Sequence, residues 1–120
     1  MKDYKELEVW QKGISLVLQV YEITKVFPKE ERYALTDQIK RAVVSIPSNI
    51  AEGASRNTTK EFVQFLYIAL GSASELETQM IIAEKLGYIK SEQALYSEIT
   101  VIRKMLNALI TSLKKIVNSG

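Results

Sequence analysis

Neither histidine nor cysteine occurs in this chain, so carboxylates are the groups left for acid–base or metal chemistry. Their spacing serves neither purpose. Glu75 and Glu77 are two residues apart and on a helix point to different faces. Glu30 and Glu31 fall in an exposed first helical turn, where negative charge simply suits the dipole. A di-iron bundle needs Glu-x-x-His pairs, and imidazole or thiolate zinc sites and His-based triads lack their side chains. No G-x-x-x-x-G-K or G-x-G-x-x-G segment offers a phosphate cradle. The expectation is a protein that is not an enzyme, with no cofactor, no metal and no small-molecule substrate.

The most unusual stretch is Ser45-Ile46-Pro47-Ser48-Asn49-Ile50-Ala51-Glu52-Gly53. Pro47 lies inside an apolar helical period, where it removes the hydrogen bond to the Val43 carbonyl at a cost of ~3 kcal/mol. That is a large share of the ~5–15 kcal/mol stability of a whole domain, so compensation is expected. Either Ser48 or Asn49 satisfies freed backbone groups, or a kink improves packing against a neighbour. Beside the apolar face runs a polar row: Gln38, Arg41, Ser45, Ser48 or Asn49, Glu52 and Arg56. One reading is a register-fixing network in which Arg41 pairs with Glu75 or Glu77 of the next helix. The other is a polar track lining a groove or a central channel of an oligomer.

Charge is nearly balanced, 16 Lys+Arg against 14 Asp+Glu for a net +2, which by itself does not mark a nucleic-acid protein. Its distribution says more. No acidic side chain follows Glu98, while Arg103, Lys104, Lys114 and Lys115 do. Cations also suit a helix C-terminus. The candidate nucleic-acid contacts are these four together with Lys40, Arg41 and Arg56; the candidate assembly residues are Ser45, Pro47, Ser48, Asn49, Glu52, Gly53, Glu75 and Glu77. The aromatic residues do not alternate with basic ones as a base-stacking platform would require.

These side chains must be positioned by helices. With two prolines and five glycines in 120 residues, the breakers are few and their places matter. They fall at Phe27-Pro28, at Gly53 to Asn57, at Gly87, and at the terminal Asn118-Ser119-Gly120. The first helix, about Leu7 to Val26, is apolar around more than half its circumference, far beyond the stripe of a little over ~100° that a lone bundle needs. It is therefore either unusually deep or in contact with another subunit, and large apolar patches favour the second. The second helix, about Lys29 to Arg56, carries Leu35, Ile39, Ala42, Val43, Ile46 and Ile50 on one face. The third opens with the capping-box pattern Thr58-Thr59-Lys60-Glu61, sets Phe62, Leu66, Ala69, Ala73, Leu76, Met80 and Ala83 at four-three spacing, and ends where Gly87 takes a left-handed conformation. The fourth, capped by Ser91 with Glu92 in its first turn, repeats Leu95, Ile99, Ile102, Leu106, Leu109, Leu113 and Ile116 as a seam.

Short connections between four such helices predict one domain spanning residues 1–120, an all-α, antiparallel up-down-up-down four-helix bundle. A chain of this length buries roughly 65% of the surface its unfolded form exposes, enough for one core. The mixed charges of the first residues give no signal peptide, and no apolar run approaches the ~18 residues of a membrane span. The cytoplasm is the default compartment.

Val9-Trp10-Gln11-Lys12, Gln38-Ile39-Lys40-Arg41-Ala42, the Ser45–Gly53 stretch, Phe65-Leu66-Tyr67-Ile68-Ala69, Gly71-Ser72 and Glu75-Leu76-Glu77-Thr78-Gln79 together resemble the four-helix-bundle family named for the 23S rRNA intervening sequence. The resemblance runs from about Leu7 to Val117. The family comprises small bacterial proteins, some encoded within insertions in ribosomal RNA genes. It is similar in fold to the accessory variability protein of diversity-generating retroelements, a pentameric barrel that associates with a reverse transcriptase and nucleic acid. The resemblance implies a homo-oligomer, a ring-like pentamer, and an association with RNA or a nucleoprotein. A ring repeating a few phosphate contacts gains affinity by multivalency that a single subunit loses at cellular salt. A protein–protein scaffold without a nucleic-acid role is the alternative.

Overall fold

The structure, a computed structural model, describes residues 3–119. Among the described residues there are four α-helices: α1 (Glu8–Thr24), α2 (Leu35–Ala54), α3 (Thr59–Lys85) and α4 (Gln93–Ser119). One-turn 3₁₀ segments at Tyr4–Glu6 and Lys29–Glu31 precede α1 and α2. Contacts across each helix pair run in opposite senses along the two chains. On α1 and α2, Gly13 meets Pro47 while Tyr21 meets Lys40. On α2 and α3, Gly53 meets Phe65 while Ser45 meets Ser72. On α3 and α4, Glu77 meets Arg103 while Glu84 meets Tyr96. Neighbouring helices are therefore antiparallel.

The core is the set of apolar faces read from the sequence. Ile39, Val43, Ile46 and Ile50 of α2, Leu66, Ala69, Ala73, Leu76 and Met80 of α3, and Leu95, Ile99, Ile102 and Leu106 of α4 are fully buried. Ala69 and Ala73 leave little side-chain bulk between backbones, and α2–α3 is the most extensive helix interface. Helix α3 begins as predicted. The Thr58 hydroxyl accepts from the Glu61 amide at 3.2 Å and donates to the Glu61 carboxylate at 3.1 Å, so the box closes through the hydroxyl itself. It ends at Gly87 with φ +82°. There the Tyr88 amide reaches the Ala83 carbonyl and the Gly87 amide the Glu84 carbonyl, the paired bonds of a Schellman closure.

Three boundaries differ from the sequence reading. The second helix does not start at Lys29: after the 3₁₀ turn, Ala34 adopts φ −124°, ψ −106°, which breaks the helical run. The Glu31 carboxylate then accepts from the Leu35 amide at 3.3 Å, so α2 starts at Leu35. Helix α4 starts at Gln93, one residue later than a Ser91 cap would give, and the Ser91 hydroxyl accepts instead from the Gln93 side chain at 2.9 Å. The seam of α4 also ends early. Ile110 is buried, Leu109 and Leu113 are half-buried, and Ile116 is 59% exposed. Helix α1 begins only at Glu8 and packs more on α2 than on α4, leaving the last turns of α4 without a fourth helix to close on.

No helix among the described residues is long and apolar enough to cross a membrane.

Candidate interaction surfaces

The Ser45–Gly53 stretch stays helical throughout, and the protein's own packing engages Ser45, Pro47, Asn49 and Gly53. Pro47 is buried with its ring against α1: a β-carbon on Gly13 would lie 3.3 Å from Pro47 Cβ and 3.4 Å from Pro47 Cδ. A bare glycine on one helix thus receives the proline ring of the other. The amide of Asn49 donates at 2.8 Å to both the Ser45 carbonyl and the Ser45 hydroxyl. It does not reach the Val43 carbonyl that Pro47 leaves without a donor. The Ser72 hydroxyl donates to the Ile68 carbonyl at 3.1 Å. Each hydroxyl carries one proton, so the 2.8 Å contact between Ser45 and Ser72 has Ser45 as donor. An ordered chain of hydrogen bonds, Asn49 to Ser45 to Ser72 to Ile68, therefore stitches α2 to α3. Gly53, also buried, faces Phe62 and Phe65 of α3. Ser48 and Glu52 point outward and are exposed.

The polar row of α2 is thus split. Ser45 and Asn49 lie in the α2–α3 seam, whereas Arg41 is on the outside and pairs with Asp37 at 2.9 Å, one turn back on its own helix. It does not reach Glu75 or Glu77. Glu77 pairs instead with Arg103 across α3–α4 at 2.7 Å, both half-buried, and Glu75 is exposed. The sequence could not choose between these partners. An i, i+4 neighbour is available on any helix, while a cross-helix partner depends on rotation about the helix axis.

The seven candidate cations do not converge on one face. Lys40 lies 4.8 Å above the Tyr21 ring. Arg56 pairs with Glu52 at 3.2 Å and stacks 4.8 Å over Phe65. Lys114 contacts the Tyr67 hydroxyl at 3.4 Å. Lys104 and Lys115 are exposed, and no acidic group among the described residues pairs with them. Eleven residues apart, they return to the same outer face of α4 after about three turns.

Helix α1 is not unusually deep. It buries Val9, Gly13, Leu16, Val20 and Thr24 and leaves Ile14 38%, Leu18 69% and Tyr21 40% exposed. These three recur at i, i+4 and i+7, one face of a helix. The stripe continues onto α2, where Tyr21 shares an open groove of about 520 Å³ with Asp37, Lys40, Arg41, Val44 and Ser45. Val44, 38% exposed, belongs to this surface although the spacing of the α2 apolar face does not single it out. Its neighbours Ala42 and Val43 are core, and a run of apolar residues hides which member faces out.

Two tyrosines tie the bundle through carboxylates. Tyr96 donates to Glu84 at 2.8 Å across α3–α4; burial first, then that bond, pushes its pKa up to about 12. Tyr88 donates to Glu31 at 2.6 Å, fastening the α3–α4 turn to the turn before α2, and that bond is the main cause of its raised pKa.

A family model described as 23S rRNA-intervening sequence protein matches residues 5–108. The matched region covers all of α1 to α3 and stops before Lys114 and Lys115, short of the extent the sequence resemblance gave. Among solved structures, the chain is similar to a protein of unknown function from the S23 ribosomal protein family of Bacteroides thetaiotaomicron, with 27% identity and a TM-score of 0.78. The likeness covers 85% of this chain and 97% of that one. No curated protein matches.

Proposed function

We propose that this chain, which belongs to the 23S rRNA-intervening sequence protein family, is a non-enzymatic cytoplasmic module that assembles with copies of itself into a ring and binds RNA or a nucleoprotein through the assembled copies. The observation that carries the assembly is the exposed apolar stripe of Ile14, Leu18 and Tyr21, continued by Val44. Contiguous apolar surface of this kind marks interaction sites, and a ring closes when this stripe on one copy meets a different face of the next. The RNA half of the reading rests on Lys104 and Lys115, which project from α4 with no acidic partner among the described residues, and on the family description.

Phosphate contacts per subunit are few, so useful affinity needs several subunits acting together. Light scattering behind a sizing column, paired with titration of labelled RNA at several salt concentrations, tests both halves. A particle several times 13.6 kDa whose RNA affinity falls with salt is the expected result. A lone subunit at physiological ionic strength overturns the assembly, and RNA binding that is absent at low salt or indifferent to salt overturns the RNA half.

A second reading, a protein–protein scaffold with no nucleic-acid role, is favoured by one observation: Arg41, Arg56 and Arg103 are each already paired with a carboxylate of their own chain. A partner retained from lysate after nuclease treatment selects the scaffold.

A further inference from the structure

We propose that the chain reversal between α1 and α2 is a binding site for a phosphate group, distinct from the cationic positions on α4. A cavity of about 260 Å³ opens there, near the lower end of the ~300–1,000 Å³ typical of small-molecule sites and so suited to a small anion or one end of a larger one. Lys25, Lys29, Arg32 and Lys40 line it, and every charged side chain in its wall is a cation. Lys25 is matched by Glu22 at 2.7 Å and adds little net charge. Lys29 and Arg32 pair with no acidic group among the described residues, and Lys40 rests on the Tyr21 ring. The acidic neighbours are largely engaged elsewhere: Asp37 holds Arg41, and the Glu31 carboxylate takes the Leu35 amide and the Tyr88 hydroxyl. Glu30, in the same turn, does not line the cavity.

Two further features point to an oxyanion. The N-terminus of α2 opens here; the Glu31 carboxylate holds its first amide, Leu35, at 3.3 Å, and the amides that follow receive no side-chain cap from Ala34, a setting that favours negative charge. Thr36, in the first turn of α2, lines the cavity, is only 8% exposed, and its hydroxyl has no hydrogen-bond partner among the described residues. A buried hydroxyl without a partner is costly. Its oxygen is shielded from solvent as it stands, but threonine in a helix divides between two χ1 rotamers, so ligand entry is coupled to rotation of this side chain. Phosphate is the class that fits: it offers several acceptor oxygens and up to two negative charges to cations from the chain reversal and from α2, and the Arg32 guanidinium can bind it with two parallel bonds.

The test follows backbone amide NMR shifts of the full chain during titration with inorganic phosphate, then with a short oligoribonucleotide with and without a 5′-phosphate. With inorganic phosphate, saturable shifts confined to the segment around Lys25 to Lys40 are expected. Lys29→Gln with Arg32→Gln, both exposed positions, weakens binding of inorganic phosphate at least tenfold, whereas Lys104→Gln with Lys115→Gln leaves it unchanged. Thr36→Val weakens binding several-fold while raising the unfolding midpoint of the phosphate-free protein, because the orphan hydroxyl is gone. Shifts that stay linear at high phosphate, or a Lys29/Arg32 variant that binds like the original, overturn the proposal. Read from the shifts at Lys25 to Lys40, preference for the 5′-phosphorylated strand, equal response to both strands, or response to inorganic phosphate alone each uphold the site and identify its source as a terminal monoester, a backbone diester or the free anion. The proposal does not rest on the RNA reading, since phosphate binding here with no RNA affinity leaves this site standing and removes that one.

Discussion

A β-carbon added to Gly53 would stand 2.7 Å from the β-carbon of Phe65, with Phe62 Cδ1 at 3.0 Å and the Phe62 carbonyl at 3.2 Å. Backbone of α2 and side-chain roots of α3 are thus in contact at the start of their shared interface. The glycine is there for space: it lies inside α2, and none of its backbone angles is unusual.

Gly53→Ala is therefore expected to destabilise the protein by about 1–3 kcal/mol, the range for overpacking a close contact, although alanine in a helix interior ordinarily gains ~1 kcal/mol over glycine. Gly71 is the internal control. It lies in α3 with open space around its β-carbon position, so Gly71→Ala should gain roughly 0.5–1 kcal/mol. Urea unfolding of the two variants checks the opposite signs.

Leu18→Lys should leave helix content unchanged, because that side chain is 69% exposed and contributes little to its own core. It should also shift the light-scattering mass toward a single subunit, since a charge in a desolvated interface is strongly unfavourable. Leu16→Lys, at a buried position, should instead unfold the chain, which separates loss of assembly from loss of fold.

For RNA, Lys104→Gln and Lys115→Gln should each reduce the steepness of log affinity against log salt by ~0.7 for every phosphate of a single strand that is no longer neutralised. Arg103→Gln should change that slope little, because its guanidinium already holds Glu77. It should cost about 1 kcal/mol or less in stability, the value of a partly exposed ion pair.

The raised pKa of Tyr96, about 12 against 10.0 for the free side chain, gives stability a definite slope in alkali. Between those values the unfolded chain has lost the phenolic proton and the folded chain retains it. The unfolded state then binds fewer protons, and stability falls as pH rises. Tyr96→Phe should be less stable near neutral pH, having lost the bond to Glu84, and should show a shallower decline above pH 10. Unfolding midpoints across that range provide the measurement.

The helical periods were legible because they depend on spacing alone. Leu95, Ile99, Ile102 and Leu106 had to share a face wherever the helix lay, and the Thr58–Glu61 cap and the Gly87 stop are local chemistry complete within a few residues. The absence of histidine and cysteine likewise closed whole classes of catalysis on composition alone. The start of α2 was less legible. Lys29–Glu31 has helical propensity, and only the backbone turn at Ala34 and the reach of the Glu31 carboxylate decide that the helix waits for Leu35.

What composition and periodicity determined was a bundle of four rods with one rod too apolar for its place. They could not say which of its apolar residues face outward, because burial depends on how each helix is rotated and on how far its neighbour extends. Tertiary structure alone assigned Ile14, Leu18, Tyr21 and Val44 to the surface, gave Arg41 to Asp37 and Arg103 to Glu77, and set Pro47 on Gly13. It also brought Lys29, Arg32 and Lys40 to the cavity that Thr36 lines. Apart from Arg41–Asp37, one turn apart on α2, these relationships join residues on different helices or across a chain reversal, and their distances are fixed by packing, which no local spacing rule encodes.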